Sequence, residues 1–407
     1  MGGSPLTEAT DLEGGSRSKT PSLGWSLRPL TIDRYLLRQF IQTFFICYFS
    51  LTGLYIVFDA FTNLDEFLKA GEHSGGVFRV LAPHYGYRAL FFFDRTAGML
   101  TLIAAMFTVT WIQRHNELTA LMAAGVSKIR VVAPIIGAGI IISALATANR
   151  ELIIPHIKDE LARNPQDLLG TREKQLQPRR DYETEILFQG ECTIRRDKRI
   201  EGPQFWMPAA LSDYGNKIIA KDAYYMSPTS GKPGGYLLKG VERPKGLEEK
   251  PSLTLAGRPI LLTPRDYPDW LKPGECFVAS NIDFEQLTGG SAWRDFSSTA
   301  QLIRGLRNPS MGFGADVRVA IHSRLVQPFL DINLLFLGMP LVLGRERRNV
   351  FIAIGLCGAI VSLFVLTALS FQFLGGTYLA RCPEFAAWAP LMIFAPASIW
   401  LASSIWE

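Results

Sequence analysis

VVAPIIGAGIIISALATAN, Val131–Asn149, holds nineteen residues without a charge. It runs directly into RELIIPHIKDELARNPQD, Arg150–Asp167, where seven of eighteen residues are charged. A helix needs about 20 apolar residues to cross the roughly 30 Å hydrocarbon core of a bilayer. The first stretch therefore reads as a membrane span and the second as chain leaving the membrane. More than half of the 42 basic and 37 acidic residues fall between Arg150 and Arg307. What lies outside that window is sparsely charged. A soluble domain is spliced into the middle of a membrane protein.

Five further apolar runs read as spans: Phe40–Phe58, Ala97–Gln113, Leu325–Leu343 with its single Asp331, Val350–Leu374 and Phe385–Trp406. Uninterrupted apolar runs lack the alternation of barrel strands, so the spans are helices. The expected fold is an α-helical membrane protein of six transmembrane helices in a 3+3 arrangement, with an inserted extracytoplasmic β-jelly-roll-like domain. Its expected segments are a disordered cytoplasmic N-terminus at 1–29, helices one to three at 30–150, a β domain at 151–315 and helices four to six at 316–407.

Short-loop Lys and Arg mark the cytoplasmic side. Arg345, Arg347 and Arg348 crowd the loop between spans four and five. Arg114, Lys128 and Arg130 flank the loop between spans two and three, and Arg28, Arg34 and Arg38 precede span one. All three regions share one side, so both termini are expected in the cytoplasm. Met1–Ser26 has no apolar core and does not read as a cleavable signal peptide.

With 48% hydrophobic and 19% charged residues, the chain is neither disordered nor an ordinary soluble enzyme. A net charge of +5 with no dense basic block gives no nucleic-acid footprint. The chain has no GxxxxGK[ST] phosphate loop, HExxH or GxSxG, and its five histidines are scattered, so no catalytic or metal constellation is read. Five cysteines without CxxC spacing exclude zinc ribbons and thioredoxin-like chemistry.

In the inserted domain, short β-branched and aromatic runs recur between turns: Glu185–Phe188, Cys192–Ile194, Lys217–Ala220, Tyr236–Leu238, Ile260–Leu262 and Cys276–Val278. Many short strands with frequent breakers predict a sandwich or jelly roll. Ser298–Arg307 reads as a short helix returning to the membrane. Cys192 and Cys276 would share an oxidising compartment, as a disulfide or as two buried thiols.

The loop Gln113–Arg130 carries Leu118, Leu121, Met122, Gly125, Val126 and Ile129 at helical spacing, predicting an amphipathic helix over about 113–129. It would either dock into a groove on a cytoplasmic partner or rest on the bilayer. Asp331 would face the bundle interior, with a hydrogen bond to a neighbour such as Asn333 as the structural alternative. Lys69, Arg88 and Arg95 lie near the outer interface, suited either to lipid phosphates or to snorkelling and ion pairing, Arg95 with Asp94 for instance.

A larger pattern joins these pieces. Leu30-Thr31-Ile32-Asp33-Arg34-Tyr35 precedes span one, and Gln113-Arg114-His115-Asn116-Glu117-Leu118 leads to Ala123-Ala124-Gly125-Val126-Ser127. His322-Ser323-Arg324-Leu325, Gly338-Met339-Pro340-Leu341, Gly344-Arg345-Glu346-Arg347-Arg348-Asn349 and Ala387-Trp388-Ala389-Pro390 follow. Their order resembles the lipopolysaccharide-export permease family of the F/G type (YjgP/YjgQ). The resemblance implies an inner-membrane half-transporter without its own ATPase motif. It would pair with a second permease subunit, a paralogue or an identical copy, and with a cytoplasmic ATPase dimer that supplies ATP and Mg. It would extract lipopolysaccharide or a related amphiphile and pass it to periplasmic jelly-roll bridge proteins.

By the same resemblance, Arg114, Glu117, Leu118, Leu121, Met122, Gly125 and Val126 form the coupling helix, with Glu117 facing the ATPase. Phe58, Lys69, Arg88 and Arg95 would meet the lipid. Some members carry a lysine in the outer part of span one; this chain has Leu54-Tyr55-Ile56-Val57-Phe58 there. The rival reading is a membrane-anchored scaffold or mechanotransmission subunit that moves no lipid. A continuous apolar groove in the β domain favours transport, and a filled core favours the scaffold.

Overall fold

The structure, a computed structural model, describes residues 31–163, 174–208, 214–229, 232–255, 257–288, 290–343, 350–377 and 382–406. The expected disordered N-terminus at 1–29 and the basic loop of Arg345, Arg347 and Arg348 lie outside the described residues.

The first membrane half is α1 (Thr31–Thr62), α2 (Leu64–Ser74), α3 (Val77–Arg114), α4 (Glu117–Ala123) and α5 (Lys128–Ala148). Gly75, left-handed at φ 77°, ends α2, as a residue lacking Cβ does at no steric cost. The second half is α10 (Ala315–Leu343), α11 (Val350–Thr377) and α12 (Pro383–Trp406). Among the described residues, α1, α3, α5 with its extension, α11 and α12 are long and apolar enough to cross a membrane.

The two halves share one core. Phe40 of α1, Leu100, Ala104 and Ala105 of α3, Ile135 of α5, and Leu335 and Met339 of α10 are all buried in it. Close helix approach rests on small residues, as expected where lipid tails offer no hydrophobic drive for helix association. A Cβ added at Gly338 of α10 would lie 2.2 Å from Leu102 Cδ1 of α3. One at Gly98 would lie 2.2 Å from Asp331 Oδ1. Asp331 does face the interior, but it does not bond Asn333. Gln327 Nε2 donates to it at 2.8 Å and Ser143 Oγ approaches at 3.4 Å, while Asn333 accepts from Ser398 at 2.6 Å.

α5 passes into a π turn, Asn149–Ile153, then the short α6 (Lys158–Leu161). The π turn closes through Ile154 N–H to the Asn149 carbonyl at 3.0 Å. Asn149 Nδ2 also donates to the Leu90 carbonyl at 2.8 Å, which ties the turn to α3.

Among the described residues eleven strands follow: β1 (Lys174–Gln175), β2 (Arg179–Arg180), β3 (Leu187–Gln189), β4 (Cys192–Ile194), β5 (Arg199–Glu201), β6 (Gln204–Trp206), β7 (Lys217–Met226), β8 (Gly235–Arg243), β9 (Leu253–Leu255), β10 (Arg258–Leu262) and β11 (Glu275–Ala279). They form one antiparallel sheet in the order β1-β4-β5-β7-β8-β11-β10-β9, with β2-β3-β6 branching from β7. The long central pair β7–β8 carries it, with Ile218, Ala220 and Ala223 of β7 and Tyr236 and Leu238 of β8 buried in one core cluster.

The core is filled. Phe188, Phe205 and Tyr236 are fully buried, with rings 4.7–6.0 Å apart. Tyr236 Oη donates to the Ile282 carbonyl at 3.1 Å, so its one polar atom is satisfied. Cys192 and Cys276 do not form a disulfide. Strands β5, β7 and β8 lie between theirs in the sheet. Cys192 Sγ instead donates to Glu201 Oε2 at 3.2 Å. Burial pushes the Cys276 thiol up to about 12.

The chain returns through α7 (Phe284–Thr288), α8 (Gly290–Phe296) and α9 (Thr299–Leu306). Phe284 and Leu287 of α7 are buried in the sheet core. α9 is the expected return helix. Ser298 caps it in a reciprocal capping box with Gln301.

Candidate functional site

Two regions gather the residues singled out in the sequence. The first is the loop between α3 and α5. One helix over 113–129 is not formed. Asn116 (φ 57°) and Gly125 (φ 82°) both adopt left-handed backbone, so α4 is an isolated two-turn piece, Glu117–Ala123.

Its apolar stripe turns inward. Leu118 is 8% exposed and packs with Leu36, Ile112 and Val131, while Leu121 and Val126 lie against the same cluster. Glu117 is held by its own chain, since Tyr35 Oη of α1 donates to Oε2 at 3.1 Å and approaches Oε1 at 3.3 Å. Gln113 Nε2 donates to the Val342 carbonyl at 2.9 Å, fixing the end of α3 to α10. The outward face comprises Arg114, His115, Thr119, Met122, Ala123 and Gly125. Arg114 and Met122 thus remain available to a partner, whereas Leu118, Leu121 and Val126 form the contacts that seat α4.

The second region is the end of α1–α3 on the side of the sheet domain. Arg88 of α3 donates through Nη1 to Tyr55 Oη of α1 at 2.9 Å. Tyr55 also stacks on Phe92, with rings 5.9 Å apart and 12° between planes. One turn on, Tyr85 Oη donates to Asp59 Oδ2 at 3.0 Å. Phe58, between those two contacts, is 67% exposed. Lys69 is exposed on α2, which is seated by buried Phe67 against the His84 and Tyr85 rings of α3. Phe58, Lys69 and Arg88 therefore share the α1–α2–α3 edge.

Arg95 does not join them. It lies two helical turns below Arg88, stacks on Phe91 at 5.1 Å and pairs with Asp295 of α8 at 3.8 Å, not with Asp94. Asp94 pairs instead with Arg150 at 3.9 Å, with side chains 7% and 11% exposed. These residues border a polar cleft of about 310 Å³ beneath α8, completed by Arg294, Asp316, Arg324 and Gln327.

Arg150, Arg324 and Glu151 were not singled out by the sequence, although two signals pointed there. Arg150 is the first charge after the third apolar run, and Arg324 is the last before the fourth.

No curated protein matches the chain. The family model for the lipopolysaccharide export system permease LptF/LptG matches residues 34–193 and 279–404. The internal unmatched stretch, 194–278, falls in the sheet domain, whereas the membrane helices, but for the first three residues of α1 and the last two of α12, and the α3–α5 loop are covered. With about seven tenths of its residues matched, the chain belongs to the lipopolysaccharide export permease LptF/LptG family.

Proposed function

We propose that this chain is the transmembrane half of an ATP-driven exporter that lifts lipopolysaccharide, or an amphiphile like it, out of the inner membrane towards a periplasmic bridge. In this reading α10 is the fourth of six spans, both termini and the α3–α5 loop are cytoplasmic, and the sheet is a periplasmic jelly roll. A second permease subunit completes the pathway. A cytoplasmic ATPase dimer binds ATP and Mg and engages Arg114, Met122 and Glu117. Acyl chains need cover throughout, because moving each CH₂ into water costs about 0.8 kcal/mol.

The observation that carries the reading is the Arg88–Tyr55 contact. It places a guanidinium from α3 in the outer segment of α1, beside the exposed Phe58. A cation next to an exposed apolar flank suits a phosphorylated lipid headgroup with its chains alongside. A photo-crosslinker at Phe58 or Lys69 in the whole complex is expected to capture lipopolysaccharide more often than one at Ile141, an exposed site on α5. Equal capture at all three sites defeats the lateral-entrance reading.

The filled sheet core favours a second reading, a scaffold that transmits motion without carrying lipid through its domain. A crosslinker at Phe188 or Tyr236 separates the two. Lipid adducts there during turnover support passage through the core, and their absence supports the scaffold.

A further inference from the structure

Two crossings join the membrane helices to the sheet: α5–π turn–α6 outward, and α7–α8–α9–α10 on the return. Each is bonded to the other. Glu151 of the outward crossing accepts from Thr299 of the return crossing twice, from N–H at 2.8 Å and from Oγ1 at 2.6 Å. Arg150 Nη2 donates to the Arg324 carbonyl at 3.1 Å.

Arg324 in turn holds α8. Its Nη2 donates to the carbonyls of Arg294 at 2.7 Å and Asp295 at 3.0 Å, and its Nη1 to that of Ser297. The first two are last-turn carbonyls of α8, which an α-helix leaves without internal partners, and Ser297 directly follows the helix. A guanidinium there satisfies them in a fixed fork and complements the negative end of the helix dipole. α3 adds a third fixing point, since Phe91 meets the Phe296 ring edge-on at 5.2 Å and Arg95 pairs with Asp295.

On the far side, α8 is fixed to the sheet domain. Trp293 stacks on Phe313 at 4.9 Å with 8° between planes, and the Arg179 guanidinium lies over the same Phe313 ring. Arg179 Nη1 donates to the Gln286 carbonyl of α7 at 3.2 Å, and Lys158 of α6 pairs with Glu285 of α7 at 2.5 Å.

We propose that Arg324 and Glu151 are positioning residues that lock the α8–α9 connector to the outer ends of α5 and α10, so that the sheet follows those helices as one body. Sliding the sheet over the bundle would break charge-assisted bonds to both crossings together. The lock follows from geometry alone. Its use, to turn helix movement into movement of the sheet during export, rests on the export reading above.

The test uses the full permease–ATPase complex in lipid nanodiscs, with Arg324→Gln, Glu151→Gln, Thr299→Val and the conservative Arg324→Lys. Amide exchange is followed for 290–306 and, as the fold control, for 217–243. Loss of a charge-assisted bond is expected to speed connector exchange roughly tenfold or more in Arg324→Gln and Glu151→Gln, with 217–243 unchanged. Thr299→Val, which removes one donor of the two, gives a smaller increase. Arg324→Lys recovers part of the protection. Lipopolysaccharide released per ATP hydrolysed falls in the same rank order.

Unchanged connector exchange in Glu151→Gln and Arg324→Gln overturns the lock. Faster exchange with wild-type release per ATP overturns its role in coupling. If Arg324→Gln disturbs 217–243 as well, Glu151→Gln and Thr299→Val decide the matter. A wild-type complex that releases no lipid refutes the export reading, while the exchange measurement still decides the lock.

Discussion

Truncating Leu118 is expected to damage the permease itself, whereas truncating Met122 is expected to damage only its hold on the ATPase. Leu118 is 8% exposed within a cluster of four buried side chains, Leu36, Ile112, Leu118 and Val131. Buried Leu→Ala changes cost about 2–5 kcal/mol, and a cavity at the margin of a bundle relaxes more readily than one at its centre. About 2 kcal/mol is therefore expected for Leu118→Ala. Met122 is 38% exposed, so Met122→Ala removes little internal burial. If its side chain is buried by the ATPase, losing about 1.4 kcal/mol there weakens binding tenfold. The assay pairs thermal unfolding of the permease without ATPase and titration of the ATPase onto nanodisc-held permease. Leu118→Ala should lower the melting temperature, and Met122→Ala should leave it alone while raising Kd. The reverse pattern, a stable Leu118→Ala that loses the ATPase beside a fully competent Met122→Ala, would mean that the stripe faces outward after all.

Gly98→Ala is expected to destabilise the bundle by about 1–3 kcal/mol, because its Cβ would fall 2.2 Å from Asp331 Oδ1; a coupling energy near zero in a cycle with Asp331→Ala, read from melting curves, refutes this. The Cys276 thiol keeps its proton up to about 12 in the folded sheet against an ordinary value of 9.0. Its contribution to stability is therefore complete below pH 9 and is lost as pH rises from 9 to 12, at up to about 1.4 kcal/mol per pH unit. Alkaline unfolding of Cys276→Ala should lack that component, and identical alkaline profiles would exclude it.

The membrane helices were legible because a nineteen-residue run such as Val131–Asn149 has one low-energy solution in lipid. The central strands were legible in place but not in length. Lys217–Ala220 extends to Met226 and Tyr236–Leu238 to Arg243, since Lys221, Asp222 and Lys239 all stay out of the core, where polarity does not end a strand. Strand pairing was not legible: β8 meets β11 across more than thirty residues, and nothing local encodes that register. The stripe of Leu118, Leu121 and Val126 was visible as a face, but periodicity names a face without naming its partner. Here the partner is Leu36, some eighty residues earlier. Single charges such as Arg150 and Arg324 at the ends of apolar runs look like ordinary snorkelling residues until the fold brings them together.

The π turn at Asn149–Ile153 acts as a phase shifter. A π turn holds one residue more than an α turn, and each helical residue advances about 100° around the axis. The extra residue lets α5 keep Ile135 and Ala138 towards the bundle while Arg150 and Glu151 point to the connector, with no loop between them. Deleting one residue from this turn would leave composition and hydropathy almost untouched, yet rotate everything beyond it by roughly a third of a revolution. A sequence comparison that scores gaps at span ends as neutral would overlook that change.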